Sequence, residues 1–447
     1  MFFKKYKAEI IIIALALTVR LIFFIAYLIK FGDAGMAYGD SQVYLTIADN
    51  LVNNGHFSLN PGPNFIPDSY VAPGYPFFLA FFKLFSVHLW PVGLVQVILG
   101  AATAFFVYRL GTLWSNRIGL IAALLFAVEP TMAFWAPLIL TEALFTFLFV
   151  WATYLFASGI KKNSLKNYLF CASILGLSAL VRPSAQYIFY LFVIFSLIWL
   201  ISRDWKKCLL YILIFVIIFS AVIAPWLIRN YEAWGKAKLS SAGWYILAVV
   251  NVREYIKFWK YFPNGVSVAD VPAPPVTPLS GGEGWNFDGE DAYRLYVETI
   301  WRANPPAAIA VHMVSLGPFF LGDGYMNILR TFWPEIKPPT VLFGQRNLAG
   351  LPSVPFALTD IYAVVFWLGK IFWLAIYLIM LYGIALSLKD KEAWLWFLLF
   401  LLIIAAFALP AGAISYARYR MPINYLIFLI FAFGLDRLLE KYGHGKS

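Results

Sequence analysis

The sequence predicts an all-α polytopic membrane protein with about ten transmembrane helices. Three observations predict it. Apolar residues make up 62% of the 447-residue chain and charged residues only 13%, with a mean hydropathy of +0.76. A soluble fold of this length needs more polar surface than that to cover itself. The apolar residues come in blocks of roughly 18–25, the length that crosses about 30 Å of hydrocarbon as a helix. Trp and Tyr gather at the block ends, where their rings seat at headgroup level.

The first block, residues 10–29, follows Lys4, Lys5 and Lys7 and precedes Lys30 with no small-residue cleavage pattern, so it reads as a retained signal anchor. Further spans are predicted at 92–113, 117–136, 138–158, 167–181, 184–201, 207–228, 360–387, 393–411 and 422–438. With the N-terminus inside, the cytoplasmic junctions are 109–117, 161–166, 203–207, 389–391 and 436–446, each short and basic or mixed in charge. The net charge of +11 therefore orients the chain in the membrane and argues against nucleic acid as a partner.

Two long polar stretches, 31–91 and 229–359, fall on the opposite face. They divide the chain into a transmembrane module with its first outer loop (1–228), a second outer region suited to an acceptor (229–359), and C-terminal helices (360–447). Helical spacing is expected at 40–55 and 288–303, an interfacial helix at 74–87, and irregular chain at 271–284. The apolar run 306–321 is expected as a re-entrant or interfacial helix, because a full span there would reverse the side of the basic junction 389–391.

Charged residues near the outer helix ends are few and informative. Asp40, in Tyr38-Gly39-Asp40-Ser41-Gln42-Val43-Tyr44, reads either as a helix N-cap or as a general base at the membrane surface. Glu142 opens the fourth predicted span and Glu129 ends the third; a carboxylate this close to lipid needs a partner. Arg182, Arg229, Arg418 and Arg420 sit at outer helix ends, where the charge rule expects few cations. Each is open to simple snorkelling, but guanidinium forks match phosphate oxygens, and the four are candidates to hold one lipid phosphate. Arg20, deep in the first span, requires a counter-ion or a wet cleft.

Cys171 and Cys208 lie in or beside apolar blocks and read as buried thiols, and the four histidines show no metal-ligand spacing. The chain shows no phosphate-binding glycine loop and no zinc-protease motif. Its reaction then needs a pre-activated substrate carried in the membrane.

At these positions the chain resembles the GT-C superfamily of membrane glycosyltransferases, in the branch with the protein O-mannosyltransferases and the bacterial lipid A aminoarabinose transferase. The matching landmarks are Gly39-Asp40-Ser41 with Tyr44, Ala72-Pro73-Gly74-Tyr75-Pro76-Phe77, Thr141-Glu142-Ala143-Leu144, Arg182-Pro183, Pro225-Trp226 through Arg229-Asn230, Asn304-Pro305, and Arg418-Tyr419-Arg420-Met421-Pro422. The resemblance implies a GT-C fold in a bacterial inner membrane with the site facing outward. It implies a polyprenyl-phosphate sugar donor, a lipid, glycan or protein acceptor, Asp40 as catalytic carboxylate, and Glu142 as a second acid. No metal or cofactor is expected. Tyr44, Tyr75, His56 and Arg20 are weaker candidates for the substrate pocket. One departure matters. Aminoarabinose transferases carry a lysine where Ala72 stands here, which argues against that sugar and leaves the lipid phosphate to arginines, His56 or Lys83. The competing readings are a secondary transporter, favoured by Arg20 alone, and an oligosaccharyltransferase or polymer ligase.

Overall fold

The computed structural model describes residues 6–60, 62–200, 204–259, 261–262, 275, 286–336, 361–411 and 416–443. The described residues form helices and connecting turns. α1 (Lys7–Phe31) leads to a surface helix α2 (Ser41–Asn54), stopped by Gly55 at φ +70°, a left-handed conformation that glycine adopts without strain. α3 (Gly74–Lys83) is the short apolar helix expected at the interface, with Phe77, Phe81, Leu84 and Phe85 exposed. α4 (Trp90–Gly111) follows; Asp33, two residues past α1, accepts from the N–H groups of Leu89 and Trp90 at 2.7–2.9 Å and caps it.

The predicted third span, 117–136, is a broken one. α5 (Asn116–Val128) ends at Glu129, and α6 (Pro130–Trp135) is a separate short helix. Proline has no N–H and drives the residue before it out of the helical region; Glu129 is accordingly extended, at φ −61° and ψ 117°. Its carboxylate caps α6 by accepting from Met132 N at 2.8 Å.

α7 (Glu142–Lys161), α8 (Leu165–Val181), α9 (Ala185–Leu200) and α10 (Trp205–Trp234) complete the first half. The outer region holds α11 (Ala242–Ile246), α12 (Val252–Trp259) and α13 (Phe287–Ala303). These pack through Tyr255, Trp259, Tyr293, Val297 and Ile300 into a second, smaller core. α14 (Pro305–Leu321) and α15 (Tyr325–Phe332) are bent by 70°, a broken span or a re-entrant loop. The expected irregular run 271–284 lies outside the described residues, Pro275 excepted. α16 (Ile361–Ser387), α17 (Lys391–Ala411), α18 (Ala417–Arg420) and α19 (Asn424–Gly443) close the chain.

Among the described residues seven helices are long and apolar enough to cross a membrane. The helices Asn116–Val128, Leu165–Val181 and Ala185–Trp199, which the sequence predicts as spans, are shorter apolar helices. α4 packs against α1, α5 and α7; α7 against α8; α8 against α10; and α19 against α5 and α16. Without a hydrophobic drive between helices in lipid, such contacts rest on close backbone approach. At the α16–α19 contact, a Cβ on Gly383 would sit 2.8 Å from Ile430 O, and one on Gly434 would overlap Ile379 O. Gly434→Val is expected to destabilise the bundle by about 1–3 kcal/mol through overpacking, read as a lowered thermal midpoint in detergent.

Candidate active site

Two peptide contacts bring the first outer loop to the start of α7. Ile139 N donates to Met36 O at 2.9 Å, and Ser41 Oγ donates to Ile139 O at 2.7 Å. The turn they hold, between α6 and α7, carries further carbonyls satisfied from inside the membrane. Gln96 of α4 donates to Leu138 O at 2.6 Å and to Ala136 O at 3.3 Å, while its own Oε1 accepts from the Tyr75 hydroxyl at 2.9 Å. Asp40 and Glu142 therefore flank one rigid turn.

Asp40 occupies the N-cap position of α2, yet its side chain makes no capping bond. Its Oδ2 instead accepts from Arg418 Nη2 at 3.1 Å. The same arginine donates from Nε to Glu142 Oε1 at 2.6 Å, and Arg182 Nη2 reaches that oxygen at 3.0 Å. Arg182 is delivered by the pre-proline break after α8, where it is extended at φ −139° and ψ 117°. Arg418 comes from the opposite end of the sequence, with its guanidinium over the Trp135 ring at 5.5 Å.

The four charges differ in access. The Asp40 side chain is 63% exposed, whereas those of Glu142 and Arg418 are 1% and 6% exposed. Arg182 lies between, at 20%. Glu142 is thus the inner counter-ion of both arginines, and Asp40 is the carboxylate open to solvent. Among the described residues Glu142 Oε2 and Thr146 Oγ1 have no hydrogen-bond partner, and both residues line a small cavity of about 10 Å³, the room of one water. Tyr44 packs edge-on against Tyr75 at 5.1 Å; burial first, and then the Asp40 charge, raise its hydroxyl well above the usual phenol range.

The other candidates lie elsewhere. Arg420 does not join the cluster: it donates to the carbonyls of Phe319, Phe320 and Gly322, and stacks 3.6 Å from the Trp373 ring centre. It caps the C-terminus of α14, whose last carbonyls have no helical partner. Arg20 makes no ion pair with a described residue, but the Glu129 charge acts on it and it lines the same small cavity as Glu142 and Thr146. It is buried and donates to Ala16 O and Ala127 O at 3.0 Å and to Phe126 O at 3.3 Å, closing the end of α5 at the Glu129 break. The single feature that favoured a transporter is accordingly a helix cap. The exposed ring of His56 stacks on Phe65, and Lys83 pairs with Asp49 at 2.5 Å. Among the described residues no three His, Cys, Asp or Glu side chains converge as a metal-sized group.

Arg229 holds the loops together. It donates to Asp68 O at 2.5 Å, Asn230 Oδ1 at 2.7 Å and Phe57 O at 3.3 Å. Beside it, Ser69 N and Oγ both donate to Asn286 Oδ1, at 2.8 and 3.1 Å, joining the two outer regions. Asp68 Oδ1 accepts from Tyr70 N and Val71 N, but the buried Oδ2 has no hydrogen-bond partner among the described residues. Burial pushes the Asp68 carboxyl up to about 7 against these bonds and the Arg229 charge. The folded state then holds this proton more tightly than the unfolded one. The contribution is present below the unfolded value of about 4 and is lost as pH rises toward 7. Asp68→Asn is expected to flatten the dependence of the thermal midpoint on pH over that window and to raise the midpoint at pH 8.

Gln96 is not among the candidates read from the sequence, and Ser41 is named there only within the motif around Asp40. A lone amide inside an apolar span is a signal of an intramembrane role, and here it marks the site-forming turn.

Residues 70–228 match the family described as dolichyl-phosphate-mannose-protein mannosyltransferase. No curated protein matches the chain by sequence. In fold, 99% of the chain superposes on 51% of the archaeal oligosaccharyltransferase AglB from Archaeoglobus fulgidus, solved with an inhibitory peptide and a dolichol-phosphate, at a TM-score of 0.57 and 15% identity. The A. fulgidus oligosaccharyltransferase tethered to an acceptor peptide matches over 98% of this chain and 50% of its own, at a TM-score of 0.55 and 12% identity. The chain thus spans about half the length of these enzymes. The family match across Glu142 and Arg182 and the shared helical fold agree with the resemblance to the GT-C superfamily of membrane glycosyltransferases seen in the sequence.

Proposed function

We propose that the protein is an inverting glycosyltransferase that moves a single sugar from a polyprenyl-phosphate donor to an acceptor hydroxyl at the outer face of a bacterial inner membrane. One observation carries the reading: an exposed carboxylate, Asp40, shares Arg418 with the buried Glu142. Asp40 takes the proton from the acceptor hydroxyl as that oxygen bonds to the anomeric carbon. The bond from that carbon to the phosphate oxygen breaks, and its electron pair leaves with the lipid phosphate.

The charges balance across this step. Two carboxylates and two guanidiniums make the resting cluster neutral. Protonation of Asp40 leaves it one positive charge while the departing phosphate gains one negative charge. Arg418, released from a neutralised Asp40, and Arg182 are placed to stabilise that charge. Glu142 orients both arginines and is too enclosed to meet an acceptor. Arg229 and Arg420, engaged with backbone carbonyls, have structural roles in this scheme.

The test is full-length purified protein with a panel of polyprenyl-phosphate sugars, scored by release of free lipid phosphate together with sugar transfer. Absence of release with every donor would overturn the proposal. The second reading, transfer of a whole lipid-linked oligosaccharide, is favoured by the fold shared with the archaeal enzyme over nearly the entire chain. Turnover of an oligosaccharide donor that a chelator abolishes would select it.

A further inference from the structure

A second site lies at the other end of the bundle. On α7, Glu142 and Lys161 are the first and last residues, which separates them by roughly 30 Å along the helix axis. Around Lys161 is a cavity of about 410 Å³ lined by Thr112, Leu113, Lys161, Lys162, Trp199 and Glu392. That volume falls in the range of about 300–1,000 Å³ that small-molecule sites occupy.

The walls are organised. The Lys161 ammonium lies 4.4 Å from the Trp114 ring centre, 3.3 Å from Leu113 O and 3.1 Å from Glu392 Oε1, so it is held at the rim. Lys162 is exposed and makes no ion pair with a described residue. Trp199, itself buried, packs against Phe195 and Trp396 with centroids 5.7 and 5.6 Å away. Among the described lining residues, two lysines against one glutamate leave a single positive charge.

That charge matches one phosphodiester. The neighbouring surface of α9 is apolar: Ile194, Leu197 and Ile198 are exposed on its last turns, on another face of the helix from the buried Trp199. They provide the greasy surface that an acyl chain needs and a free anion does not. Basic pockets between helices at the membrane edge suit lipid headgroups for this reason. We propose that this cavity binds the headgroup of one anionic phospholipid, in the leaflet opposite the Asp40 site. The inference stands apart from glycosyl transfer.

Native mass spectrometry of the full chain, stripped of lipid in detergent and titrated with phosphatidylglycerol, tests it. One saturable lipid per chain is expected. The double variant Lys161→Gln, Lys162→Gln should weaken it roughly 30-fold, each cation contributing about fivefold near an anionic lipid. Lys166→Gln, an exposed cation at the same end but outside the cavity, should leave it unchanged. Thr112→Trp fills the cavity with its charges intact and should also remove binding. Lys162→Gln alone, at an exposed position, keeps the charge test available if the double variant fails to fold. Equal binding of phosphatidylcholine, equal loss in Lys166→Gln, or binding retained in the pocket variants would each overturn the proposal. Displacement by excess inorganic phosphate would assign the cavity to the free anion and overturn the lipid; resistance to it supports the lipid.

Discussion

Asp40→Asn is expected to lower the rate of sugar transfer by about 10²–10⁴-fold, the usual contribution of a positioned general base. The amide keeps the shape of the side chain and can still accept from Arg418 Nη2, now 3.1 Å from Asp40 Oδ2, so the bundle should fold and the donor should bind. The loss should appear in kcat, since the missing interaction is made only as the acceptor proton leaves. The measurement is steady-state transfer with donor binding followed in parallel. Full activity in the variant would remove Asp40 from the mechanism, and loss of donor binding with it would make Asp40 a binding residue instead.

Arg418→Met is expected to have the largest combined effect. The side chain is 6% exposed and serves Glu142, which is 1% exposed, as well as Asp40. Removing one partner of a buried charge pair costs about 3–5 kcal/mol. The lower end applies, because Arg182 stays 3.0 Å from the same Glu142 oxygen. Against a typical folding stability of about 5–15 kcal/mol, such a loss lowers the thermal midpoint measurably. Arg418→Lys separates stability from chemistry. Lysine keeps the charge but, as a point donor, cannot span two carboxylates as a guanidinium does. It should therefore recover much of the thermal stability and little of the transfer rate. Recovery of both by lysine would show that charge alone, without the fork, suffices.

The span-level architecture was legible because lipid imposes a length and a composition on each crossing. Among the described residues each predicted block falls mainly on one helix except 117–136, which became two, and the breaks followed local chemistry. Pro130 divided the span predicted at 117–136, a signal present in the sequence but outweighed there by continuous apolarity. For the site, Asp40, Glu142, Arg182 and Arg418 were legible as charges misplaced for their side of the membrane. Their division of labour was not. Arg418 and Arg420 are two residues apart on one short helix, so composition treats them alike, yet one meets carboxylates and the other helix carbonyls. Arg20 carries the same lesson: a buried cation calls for oxygen partners, and the open end of a broken helix supplies them as well as a carboxylate does. Only the course of the backbone decides between them. Gln96 escaped notice because its partners, Ala136 O and Leu138 O, belong to a turn that apolar periodicity does not reveal.

The bond from Arg418 to Asp40 joins residues 378 apart in the chain. At a synthesis rate of roughly 5–20 residues per second, the carboxylate leaves the ribosome about 20–75 s before the guanidinium that will hold it. For most of that interval Asp40 and Glu142 both exist, but the cation that unites them has not been made. A half-built chain therefore presents its acid residues without the guanidinium that joins them. Emergence of α18, which carries Arg418, is what completes the four-charge cluster, so a chain that stops short of it lacks the cation shared by Asp40 and Glu142.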